Sequence, residues 1–175
     1  MNRLLAPLLV ALLAAAPSFA FAHVSLEQNS AQAGSTYKAV FRVPHGCDGS
    51  PTRAITVFLP EGFVGAKPMP KAGWKLETKS EKLAHPYDSH GTKITERVAV
   101  VSWSGGRLLD SEYDEFIVRA SLPKEAGSTR IRVLQECEKG ATDWNAAPTP
   151  ENRDPAHPAP KLDILPSGAS GGHHH

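Results

Sequence analysis

The sequence predicts an all-β fold, an immunoglobulin-like antiparallel β-sandwich. Apolar residues alternate with polar ones in short runs, turn-forming clusters separate those runs, and no helical period competes with the alternation. Taken in order, TYKAVFRV (36–43) puts Tyr37, Ala39, Phe41 and Val43 on one face. RAITVFL (53–59) aligns Ile55, Val57 and Leu59, and WKLET (74–78) is a shorter run. ITERVAVVSW (94–103) alternates through Ile94, Val98 and Val100, then shifts phase near Val101 and Trp103, as a bulge would make it do. EFIVRASL (115–122) collects Phe116, Val118, Ala120 and Leu122, and RIRVLQE (130–136) collects Ile131, Val133 and Gln135. The punctuation between them is PHGCDGSP, PEGF, KAGW, DSHGT, SGGR, PKEAGS and EKGA. Residues 149–175 read as a Pro/Gly-rich tail ending in His173-His174-His175. Within it APTPENRDPAHPAP resists regular structure, SGASGGHHH has a disordered composition, and KLDIL (161–165) offers one last strand.

The start of the chain is of another kind. Met1-Asn2-Arg3 is a short positive segment, Leu4 to Ala16 is almost wholly apolar, and Ala20-Phe21-Ala22 is an A-x-A cleavage signature. Together they make a secretory signal peptide over 1–22, too short in its apolar run to span a membrane. Cleavage leaves 153 of the 175 residues, enough for one domain over 23–148, and no transmembrane segment is expected in it. Without Arg3 the chain carries 18 basic and 18 acidic residues, scattered and balanced, so neither nucleic acid nor an anionic membrane is indicated.

Export to an oxidising compartment makes a disulfide the expectation for the two cysteines, Cys47 and Cys137, closing a loop of about ninety residues. A thiolate metal site is the alternative, but no C-x-x-C spacing supports it. P-loop, dinucleotide and H-E-x-x-H motifs are all missing from the sequence.

The stretch HVSLEQNSAQAGSTYKAVFRVPHGCDGSPT resembles the opening of the YcnI-like domain, and KPMPKAGWKLE, WSGGRLLDSEYDEFIVRASLP and LQECEKGATDW continue the likeness in order from His23 to about Pro148. The resemblance implies an Ig-like sandwich and a role in bacterial copper handling. It also implies a copper(II) site at the mature N-terminal histidine, with a carboxylate and a nearby tryptophan. The chain departs from some relatives in ending on three histidines, with no C-terminal anchor.

Beside the resemblance stands the chemistry of a terminal histidine. Cleavage before His23 offers an ion the α-amine and ring Nδ1 of a single residue, which close a chelate ring. The α-amine has an ordinary pKa near 8 and gives up its proton to a metal readily. Cu(II) favours tetragonal nitrogen and oxygen donors and binds most tightly of the divalent first-row ions. The bland reading is that His23 merely follows a cleavage point.

Four carboxylates compete to complete such a site. Glu27 would lie roughly 13 Å along an extended 23–28 strand from His23. If that strand pairs with 36–43, His23 shares an end of the sandwich with Cys47. The disulfide would bring the end of 130–136 there too, and a hairpin of 115–122 with 130–136 would place Glu115 opposite His23. Asp114 and Glu136 are its neighbours and rivals, and solvated charge at a strand end is the ordinary fate of all of them. Trp144, just beyond the same end, is a poor ligand for a divalent ion; it would shield the site or meet Cu(I) with its π face, unless it is simply core. Trp74 and Trp103 read as core. His45, near Cys47, is either a further ligand or a turn residue, His85 and His90 read as solvated, and His173–His175 would hold metal weakly.

Two classes of function therefore compete. One is a periplasmic or secreted copper carrier without turnover, which passes Cu(II) to another envelope copper protein. The other is a copper enzyme that activates oxygen, which needs a second histidine, for which His45 is the candidate, and a substrate surface. A metal-free Ig-like interaction module is the third reading.

Overall fold

The structure is a computed structural model that describes residues 23–89 and 91–168; the leader, His90 and the C-terminal histidines lie outside the described residues. Among the described residues the regular structure is all β, in three sheets. The first has the order β1 (Ser25–Leu26), β3 (Thr36–Val43), β8 (Asp114–Ser121), β5 (Val64–Pro68). The second has the order β11 (Ala141–Trp144), β10 (Arg132–Cys137), β4 (Thr52–Phe58), β7 (Thr92–Leu108), β6 (Lys75–Ser89). The third joins β2 (Ser30–Gln32), β12 (Lys161–Leu165) and β9 (Gly127–Arg130).

The alternation in the sequence is what builds the core. Tyr37, Ala39 and Phe41 of β3 and Phe116, Val118 and Ala120 of β8 are buried with Ile55 and Val57 of β4, Val101 and Trp103 of β7 and Val133 of β10. Phe116 joins the two large sheets: Trp103 meets it edge-on at 5.4 Å between centroids and Trp74 at 5.1 Å. The buried Trp103 donates its indole N–H to the Met69 carbonyl at 2.9 Å. A glycine is required at 106, where any Cβ would lie 2.0 Å from the Trp74 ring.

Several expectations are corrected. In β7 the burial alternates unbroken through Arg97, Ala99, Val101 and Trp103, so Ile94, Val98 and Val100 occupy the more open face. The irregularity falls where Lys79 and Ser80 of β6 face Val100 and Val98, not at Val101. A charged Arg97 can sit on the inner face because its guanidinium is satisfied by Glu81 (2.8 Å) and by the carbonyls of Leu59 (3.1 Å) and Pro60 (3.0 Å). The polar stretch around DSHGT is the tip of a long β6–β7 hairpin. β5, VGAKP, has no apolar run and is held by main-chain pairing with β8.

The expected hairpin of 115–122 with 130–136 does not form. β8 pairs with β3 and β5, while β10 lies in the opposite sheet between β4 and β11. The chain between them makes β9 in the third sheet and crosses over. The last strand does form over 161–165, with Leu162 and Ile164 buried, so the packed domain runs past Pro148 to Leu165. The segment from 146 to 160 is irregular, as its prolines require. It is pinned by main-chain bonds from Ala146 N–H to His157 O (3.0 Å) and from Ala159 N–H to Ala146 O (2.8 Å), and by buried Pro155, Ala159 and Pro160.

Candidate metal centre

The site lies at one edge of the sandwich, where the outermost strands of the two large sheets, β1 and β11, come together. β1 pairs antiparallel with β3 (Ser25↔Arg42, Leu26↔Phe41), which sets Val24 and Leu26 inward and leaves His23 half-buried at the strand's start. β11 returns from β10 through a turn at Gly140, whose positive φ of 78° suits glycine. Opposite Val133, Trp144 points into the sandwich and is only 3% exposed.

Gln135 fixes the tryptophan. Its Oε1 accepts the Trp144 indole N–H at 3.0 Å, and its Nε2 donates to the His45 carbonyl (2.7 Å) and to Thr52 Oγ1 (2.8 Å). A wholly buried amide is tolerable there because both donors and one acceptor are used. The Cys47–Cys137 disulfide forms, with Cα atoms 6.0 Å apart, and ties the loop carrying His45 to β10. In that loop Gly46 N–H donates to Asp110 Oδ1 at 2.9 Å, and His45 Nδ1–H donates to the Gly46 carbonyl at 2.5 Å.

Three imidazoles stand edge-on around the one indole: His157 at 5.4 Å between ring centroids, His23 at 5.7 Å and His45 at 6.4 Å. A cleft of about 180 Å³ opens beside His23, lined by His23, Asp154, Pro155 and Ala156. Among the described residues no three His, Cys, Asp or Glu side chains converge as a ready-made cage. An ion at this edge therefore needs a donor from the backbone terminus or from solvent.

The structure brings together His23 and Trp144, with His45 beside them, but Glu115 lies elsewhere. Glu115 pairs with Arg42, which pairs with Ser25, so β3 stands between Glu115 and β1 and the strand spacings alone separate them by roughly 10 Å. Its carboxylate accepts the Tyr113 hydroxyl and sits 3.9 Å from Arg42 Nε. Burial, followed by the Glu115 contact, raises the Tyr113 pKa. Glu27 also binds Arg42, at 3.1 Å, Asp114 binds Lys71 at 2.5 Å, and Glu136 is exposed on β10. The carboxylate that shares the cleft with His23 is Asp154. Asp143, next to Trp144, is held below the usual carboxylate range by its bonds from Arg132 (2.7 Å at the shortest), which brace β10 against β11.

Sequence reasoning missed His157 and Asp154. The available signal was DPAHPAP itself, a histidine between prolines whose restricted backbone can aim a side chain.

Fold and site together define an immunoglobulin-like β-sandwich that carries a histidine-ringed tryptophan at one open edge. The chain belongs to the family described as "Domain of unknown function (DUF1775)", which matches residues 23–164. Among solved structures it is similar to an uncharacterized protein from Nocardia farcinica with an immunoglobulin-like fold, at 23% identity and a TM-score of 0.63, covering 81% of this chain and 97% of that one. A protein from Corynebacterium diphtheriae described as membrane anchored is more distant, at 13% identity and a TM-score of 0.37, covering 82% of this chain and 37% of that one. No curated protein matches. Among the described residues no helix is long and apolar enough to cross a membrane.

Proposed function

We propose that the protein is a copper carrier of the bacterial cell envelope, holding Cu(II) at a mature N-terminal His23 and performing no turnover. The observation that carries this reading is the position of His23: half-buried against Trp144, at an open cleft on a rigid sandwich edge. The resemblance to YcnI-like proteins and a disulfide suited to an oxidising compartment support it.

The chain's own groups divide the work. Cleavage after Ala22 would free the His23 α-amine, which with ring Nδ1 takes one ion in a chelate. Binding there displaces the amine proton, so affinity falls as pH drops below its ordinary value near 8. The Trp144 N–H is committed to Gln135, so the indole acts as a wall that orients the imidazole and excludes water from one side. Copper is cargo here, and a carrier needs an ion that a partner can reach; an edge cleft meets that need better than a closed cage.

The test compares Cu(II) titrations of the protein beginning at His23 with the same chain carrying one extra residue before it. His173, His174 and His175 are replaced by alanine in both. The extra residue turns the amine into a peptide nitrogen and should remove most of the affinity. Equal affinities would refute the terminal chelate.

A further inference from the structure

We propose that His157 is the second imidazole of this metal site, supplied by the strap that crosses the sandwich edge. The proposal rests on the copper reading above and specifies which side chains of this chain complete it.

Strap residues Asp154, Pro155 and Ala156 wall the same cleft as His23. His157 is the next residue, and its ring lies closest of the three imidazoles to the Trp144 centroid, at 5.4 Å. Its backbone is not free to drift. His157 O accepts the Ala146 N–H, residues 146 and 158 form a parallel bridge, and Pro155 and Ala159 on either side are buried. His157 itself is nevertheless exposed. His157 is thus a solvent-exposed imidazole, anchored by its main chain and turned against the same indole that His23 meets.

The ligand count agrees with this placement. Because a terminal His23 supplies two nitrogens, His157 supplies the third without any cluster of three side chains. Imidazole nitrogens bind first-row ions at roughly 2 Å, so two rings need only bring their nitrogens about 4 Å apart across one ion. A solvent oxygen would supply the remaining position of a tetragonal Cu(II) site. The same two imidazoles give Cu(I) a soft enough nitrogen pair to remain bound after reduction, which one histidine with one carboxylate does not. His45 is the poorer candidate: its ring is the most distant and its Nδ1–H is engaged by the Gly46 carbonyl.

The experiment uses the processed protein with His173–His175 replaced by alanine, Cu(II) as the probe, and the His157→Ala variant. The bonds that pin the strap are main-chain, so His157→Ala should leave the apo melting temperature nearly unchanged, which a thermal scan checks. For His157→Ala we expect Cu(II) affinity to fall by more than the roughly 10–100-fold that loss of even an outer-sphere partner costs. The nitrogen hyperfine pattern in electron paramagnetic resonance should lose one coupled nitrogen, and Cu(I) retention against a competing chelator should fall with it. Unchanged affinity and nitrogen count in His157→Ala, with tight binding by the parent, would overturn the role of His157 and leave the terminal-histidine site standing. No tight binding by the parent would overturn both.

Discussion

Gln135→Leu should loosen the whole edge of the sandwich, and the hydrogen bonds say by how much. The substitution keeps a similar volume but strands the Trp144 indole N–H and the His45 carbonyl, and leaves the Thr52 hydroxyl only the Cys137 sulfur at 3.8 Å. Trp144 and Thr52 are 3% and 0% exposed, so those two groups cannot turn to water, whereas the half-buried His45 carbonyl can in part. Each stranded buried group costs about 1–3 kcal/mol, and removing a buried amide returns some of its desolvation cost, so a net loss of about 3 kcal/mol is expected. For a domain of this size that is a fall of roughly 6–12 °C in melting temperature. Urea unfolding with the disulfide intact measures it, alongside Trp144→Phe and the double variant. The two sites share a bond, so a coupling on the order of 0.5–3 kcal/mol should appear in the cycle. Cu(II) affinity of the processed protein should fall as well, since the indole loses its restraint. A loss below about 0.5 kcal/mol, within the range of ordinary surface substitutions, with additive effects of Gln135→Leu and Trp144→Phe, would refute the view that this amide fixes the site.

Replacing both Cys47 and Cys137 by serine opens a loop with a sequence separation of 90, and the chain-entropy relation gives a loss of about 4–5 kcal/mol, read from the shift in urea midpoint. Asp143→Asn removes a carboxylate whose pKa is depressed by Arg132. The stability difference from the parent should therefore be present above the unfolded value near 3.9 and vanish as the pH falls through the folded value, which acid titrations of the two proteins compare. The Cu(II)-loaded processed protein, given ascorbate, oxygen or peroxide and candidate polysaccharides, should yield no oxidised product beyond stoichiometry. Many turnovers per copper, abolished by His23→Ala, would replace the carrier by an oxidative enzyme.

The fold was legible because both large sheets are half-buried, and period two is the direct imprint of that condition. The strand 36–43 has the boundaries the alternation dictates, and Ile131, Val133 and even the polar Gln135 share the buried face expected of them. Where burial and polarity part company, the pattern misleads. Arg97 takes an inward position that an unpaired charge would be denied, because Glu81 and two carbonyls meet it, and Ile94 and Val98 are correspondingly displaced to the open face. β5 left no imprint because main-chain bonds, not apolar burial, hold it to β8.

The site was half legible for a topological reason. The resemblance to YcnI-like domains, together with the chelating chemistry of a terminal histidine, singled out His23, and the resemblance with proximity to the disulfide singled out Trp144. The carboxylate was sought through an assumed hairpin of adjacent strands, and a crossover to the opposite sheet removed the premise. Glu115 does lie near the start of β8, at the His23 end, but two strands across from it and bound to Arg42 and Tyr113. His157 could not be found by pairing rules at all, because its segment makes no strand and returns to Trp144 along a proline-stiffened path pinned by one main-chain bridge. Such a path has no period to read. Its residues acquire a role only when β12 docks between β2 and β9 and fixes where the strap must cross the edge. On the proposal that His157 binds the metal, the ligand is coupled to the last strand of the fold. Weakening the burial of Leu162 or Ile164 should therefore loosen metal binding at His157 before it disturbs the disulfide-tied loop of His45.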